Sequence, residues 1–163
     1  MERRLIRGVL IGALALLPAV AVAMAMSAAT GTAGVQPPPG PAKYFSSDQV
    51  KAAFAKGVPL LETPGYKVNA GRRDRDGLAE VHARDTDVFY VLEGTATLVT
   101  GGRVQNEKTI APDEIRGDAI TGGEARPLVA GDVVVIPSGL PHVLKDVKAP
   151  FLYFVVKATA PRP

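Results

Sequence analysis

The chain holds only two histidines, His82 and His142, sixty residues apart. Each lies in a frame that suits a ligand. The first frame runs Glu80-Val81-His82, then Asp87 and Gly94. The second runs Gly131, then Pro137-Ser138-Gly139, then His142. Imidazole is the commonest protein metal ligand, and either ring nitrogen can serve. Along a strand, residues i and i+2 share a face, so Glu80 and His82 point together. A fold-back through Ala83–Thr86 returns Asp87 beside His82. Taken singly, each histidine has a plainer reading: His82 as a buried ring satisfied by Asp87, His142 as a turn cap. Taken together, the frames point to a metal site. No nucleophile triad, phosphate loop or zinc-protease helix motif accompanies them.

Such side chains need stiff elements behind them. Gly131-Asp132 reads as a tight turn and Val133–Ile136 as a buried strand. Pro137–Pro141 is a rigid turn, with proline fixing φ and Gly139 free to take a positive φ. Gly94 allows a sharp turn where a side chain would clash. Short strands punctuated by glycine and proline are expected over 66–68, 78–83, 88–92, 95–100, 126–129, 132–136, 142–147 and 151–157. That pattern is all-β, a sandwich or barrel. One short helix precedes it. Ser46 caps it with Gln49 as capping-box partner, Val50, Ala53 and Phe54 repeat at helical spacing, and Gly57 and Pro59 end it. Residues 104–124 show little periodicity and read as a long loop, the kind that rims a pocket. Arg116 in that loop is a candidate contact for an anionic substrate. A solvated surface charge is the plainer alternative.

The 163-residue chain divides into three parts. Residues 1–25 carry Arg3, Arg4 and Arg7, an apolar run from Val9, and Ala-x-Ala exits at Ala21–Ala23 and Ala23–Ala25. This is the pattern of a cleaved export signal, with an uncleaved anchor as the alternative. Residues 26–43 are rich in Ala, Gly and Pro and read as a linker. Residues 44–163 form one domain, large enough to bury a core. The expected location is periplasmic or extracellular. The net charge of +3 falls to +1 without residues 1–25, which is no footprint for nucleic acid. The chain has no cysteine, so it has neither disulfides nor a thiolate metal site.

The two frames resemble the signature motifs of the cupin superfamily, G-x5-H-x-H-x3or4-E-x6-G and G-x5-P-x-G-x2-H-x3-N. Glu80 stands at the first histidine, His82 is the second, Asp87 replaces the glutamate, and Gly94 matches. Gly131, Pro137, Gly139 and His142 match the second motif, with Asp146 in place of asparagine. Asp74 stands where the first motif opens on glycine. The resemblance covers about residues 66–157, and its wording is close to that of small bacterial cupins. It implies a double-stranded β-helix, a jelly-roll barrel, with Glu80, His82, Asp87 and His142 around one divalent metal. Two imidazoles and two carboxylates make a hard donor set that suits Fe, Mn, Zn or Ni. The expected function is a metal-dependent dioxygenase or isomerase acting on a small molecule. Glu80 or Asp87 would be the general base, whichever is not a tight ligand. The alternatives are a non-catalytic cupin that binds a sugar or organic acid, and a degenerate cupin without metal. Barrel edges and the apolar strand Phe151 to Val156 point, by analogy with the family, to a homodimer.

Overall fold

The computed structural model describes residues 40–162. The proposed leader, residues 1–25, and the linker as far as residue 39 lie outside the described residues. The helix forms as its caps dictate. In α1 (Ser47–Lys56) the Ser46 side chain accepts from the Gln49 backbone, and the Gln49 side chain accepts from Ser46 N–H at 2.8 Å. Gly57 closes the helix in the left-handed region, at φ 66°. Its apolar face meets the sheet, with Phe54 edge-on to Phe154 at 4.9 Å between ring centroids.

Eleven strands follow: β1 (Pro59–Glu62), β2 (Tyr66–Arg73), β3 (Ala79–His82), β4 (Asp85–Thr100), β5 (Arg103–Gln105), β6 (Lys108–Ala111), β7 (Glu114–Gly117), β8 (Ala119–Thr121), β9 (Glu124–Leu128), β10 (Val133–Ile136) and β11 (His142–Thr159). Two differences from the expected pattern matter. Gly94 does not end a strand, and β4 and β11 are single long strands of 16 and 18 residues. Gly94 sits at φ 79° inside β4, against the Pro150 and Lys148 carbonyls of β11, where a Cβ would collide with backbone. The register slips there, so both strands bend at the same level. The segment 104–124 is not a loop but carries the short strands β5 to β8.

The bends divide the strands between two layers. In the first, the early half of β4 pairs with β10 and the late half of β11, β11 pairs onward with β2, and β2 with β1. In the second, the late half of β4 pairs with β9 and the early half of β11, while β3, β7 and β6 continue from His142. This is the double-stranded β-helix. Its core draws Phe89, Val91, Tyr153 and Val155 from one layer and Ala96, Leu98, Leu128 and Leu144 from the other. Burying each of the larger of these side chains, such as Phe89, Leu98 and Leu128, contributes about 1.5–3 kcal/mol. The Tyr153 ring lies over Gly71, whose missing Cβ would stand 2.6 Å from it. Strand β11 is flanked by both β2 and β4, so the apolar run Phe151 to Val156 is an interior strand rather than an open edge. Phe151, Tyr153 and Val155 are its buried members.

Candidate metal centre

The site lies at the end of the fold away from the two bends. Strand β3 presents Glu80 and His82 on one face, as alternation requires. His142 opens β11 and pairs directly with Glu80. The rigid turn before it is pinned to the other frame, because Gly139 N–H donates to the His82 carbonyl at 2.8 Å. The two frames are thus tied by backbone, and the rings stand 5.2 Å apart. One ligating atom each from Glu80, His82 and His142 lies within 4.8 Å of the others.

Both imidazoles are oriented by their far nitrogens. His82 Nδ1 lies 2.8 Å from Glu114 Oε1, and His142 Nδ1 lies 3.1 Å from the Leu140 carbonyl. Each acceptor holds the proton on Nδ1 and leaves Nε2 unprotonated, the tautomer a metal ligand needs. His142 Nε2 is buried with no hydrogen-bond partner among the described residues. Burial pushes the His142 pKa from 6.5 down to about 4, against the Leu140 bond and with help from nearby His82. The ring is therefore neutral at pH 7. An orphaned, unprotonated nitrogen beside a second imidazole and a carboxylate fits a divalent ion.

Asp87 also reaches the cluster. Its Oδ2 lies 3.5 Å from His82 Nε2 and 3.8 Å from His142 Nε2. Both of its oxygens accept from the Lys157 ammonium, at 2.8 and 2.6 Å, and the same Nζ lies 2.8 Å from His82 Nε2. Lys157 is the register partner of Asp87 across β11 and β4. Glu80 is held by Arg73 at 3.1 Å and by Arg116. The sheet pairs Glu80 with Arg116 and His82 with Glu114 across β3 and β7. Burial lowers the Arg116 guanidinium from its usual value, and neighbouring Arg73 adds to the shift.

All five residues singled out from the sequence, Glu80, His82, Asp87, Arg116 and His142, therefore meet in one place. Arg116 arrives on a paired strand rather than a loop. Lys157, Glu114 and Arg73 belong to the same cluster without having been foreseen. Lys157 had a signal: it continues the inward series Phe151, Tyr153, Val155. A cavity of about 410 Å³ adjoins the cluster, lined by Arg73, Glu80, His82, Asp87, Arg116 and Lys157 among others. Such a volume suits a small organic molecule.

The bent double-layer fold and the paired motif frames define a double-stranded β-helix with a candidate metal site. The chain belongs to the cupin family, whose profile matches residues 45–162. Among solved structures, BH2720 from Bacillus halodurans aligns with a TM-score of 0.54 at 19% identity, over 76% of this chain and 86% of its own. Hydroquinone 1,2-dioxygenase PnpCD, solved in complex with Cd2+ and 4-hydroxybenzonitrile, aligns with a TM-score of 0.51 at 14% identity, over 75% and 82%. An uncharacterised conserved protein with a double-stranded β-helix domain from Klebsiella pneumoniae subsp. pneumoniae aligns at 0.49 and 20% identity, over 73% and 90%. At these identities the likeness is one of fold. No curated protein matches the chain.

Proposed function

We propose that the chain is an exported single-domain cupin that holds one divalent ion and acts on a small molecule by oxygenase or isomerase chemistry. Glu80, His82 and His142 would hold the ion, with Asp87 on the remaining side. The observation that carries this reading is the pair of buried imidazoles, each fixed by its Nδ1 so that an unprotonated Nε2 faces the same spot beside Glu80. A bound Fe, Mn, Zn or Ni ion would supply a Lewis acid. Arg73 and Arg116 line the cavity next to Glu80 and present N–H groups suited to a carboxylate or similar oxyanion. Glu80 or Asp87, when not ligating, would accept a proton from a molecule in the cavity. The export reading rests on residues 1–25, and N-terminal sequencing of the secreted product tests it.

One observation favours a second reading, a cupin that binds a small organic acid without turnover. Both candidate bases are already engaged by cations, Glu80 by two arginines and Asp87 by Lys157. The decisive measurement is the metal content of the untagged protein after loading and desalting, with about one equivalent expected. Less than about a tenth of an equivalent refutes the metal centre. Oxygen uptake by the loaded protein across keto acids, diketones and phenols then separates oxygenase from binder. Conversion of sugar or acid isomers separates isomerase from binder.

The outer face of the first layer supports a homodimer. Tyr90, Val133, Val135 and Val156 are exposed there on adjacent strands. Light scattering at micromolar concentration tests this directly, and a monomeric mass refutes it.

A further inference from the structure

Three carboxylates, Glu80, Asp87 and Glu114, meet three protein cations, Arg73, Arg116 and Lys157, in this cluster. The arginines lie against Glu80, toward the cavity. Lys157 differs, because its ammonium sits among the donors themselves. Nζ lies 2.8 Å from His82 Nε2 and 2.8 and 2.6 Å from the two Asp87 oxygens. Since Glu114 holds the His82 proton on Nδ1, His82 Nε2 carries a single in-plane lone pair. That lone pair serves one partner at a time, an ammonium N–H or a metal ion. A divalent ion and an ammonium less than about 3 Å apart would also repel strongly at any protein dielectric.

We propose that Lys157 is a competing occupant of the metal centre: its ammonium holds the His82 and Asp87 donors, and a divalent ion binds only as that ammonium leaves them. The inference rests on the metal reading above and adds the residue that sets affinity. The geometry allows the exchange. Lys157 lines the cavity, and its side chain is 15% exposed against 2% for Asp87, so the flexible four-carbon stem can carry Nζ outward while Asp87 stays. Lys157 therefore lowers metal affinity.

The test is calorimetric titration of Ni2+ or Mn2+ into the wild-type chain, Lys157→Met and Lys67→Met. Lys67 lines the same cavity but pairs with Asp85, at 3.5 Å. It controls for a general loss of positive charge. Losing a competing charge-assisted hydrogen-bond set should tighten metal binding by about ten-fold or more in K157M. K67M should change it by less than about three-fold. Because K157M strands a buried carboxylate, a second readout uses the wild type alone. Reductive methylation quantified by mass spectrometry should label Lys157 several-fold faster in the metal-saturated protein than in the metal-free one. Equal affinities for wild type and K157M, equal gains in K157M and K67M, or unchanged Lys157 labelling on saturation each overturn the competition and leave the metal centre standing. Absence of binding by all three proteins removes the metal centre and the competition together.

Discussion

Acid should loosen this fold through His142 in a calculable way. The folded-state pKa is about 4, against 6.5 for the free side chain, and burial is the main cause. At pH 7 the folded ring is neutral and the unfolded one mostly so, and the pH dependence is small. As pH falls below 6.5, the unfolded chain takes a proton that the folded chain refuses. Stability then drops by about 1.4 kcal/mol per pH unit until the folded ring protonates near pH 4. The full loss is about 3 kcal/mol, and about 2 kcal/mol of it has occurred by pH 5. Against a typical domain stability of about 5–15 kcal/mol, this is readily measured. Urea denaturation in EDTA between pH 7 and pH 4.5 provides the assay, run in parallel on wild type and H142N. Carboxylates away from His142 contribute equally to both and cancel in the difference of slopes. The stability of H142N should fall with acid more gently, by the amounts given. Parallel slopes for the two proteins would refute the assignment of a buried, neutral His142.

Other outcomes follow from the same contacts. Glu114→Gln removes the charged acceptor behind His82 and should weaken metal binding by about 10- to 100-fold with little loss of fold, read by calorimetry and circular dichroism. Gly71→Ala drives a Cβ against the Tyr153 ring and should cost about 1–3 kcal/mol in urea denaturation. Ser46→Ala removes the helix cap and should cost about 1 kcal/mol in the same assay without changing metal content.

The period-two alternation and the paired glycine–proline frames made much of the site legible before any coordinates. Glu80, His82 and His142 converge as their frames imply, because a strand face and a rigid turn are local features. What alternation could not reveal was strand continuity. Gly94 reads as a terminator because glycine usually punctuates, yet here it permits a bend within β4. Residues 104–124 read as a loop because strands of three or four residues are too short to show a period. The four residues of β6 are also exposed throughout, so they offer no alternation at all. Glu114 and Arg73 were hidden for a different reason. Glu114 matters through its cross-strand register with His82, far along the chain, and Arg73 through a side-chain contact with Glu80 made across the turn between β2 and β3. Lys157 was visible as a charged residue on an apolar face, and only the register with Asp87 explains why the fold tolerates it. Removing one member of such a buried pair typically costs about 3–5 kcal/mol.

The shared bend in β4 and β11 has a mechanical consequence. Each long strand runs down one layer and back up the other, so both ends of β11, His142 and Lys157, arrive at the same rim. Glu80, His82, Glu114, Arg116 and His142 ride on one layer. Asp87, Lys157 and Arg73 ride on the other. The layers are joined at the bends by Gly94 and Pro150 and again at the rim, where Ala83 and Arg84 connect His82 of β3 to β4. The donor cluster therefore draws on both layers at a rim where the chain itself crosses from one to the other, so its geometry is fixed by that short crossing as well as by the two bends.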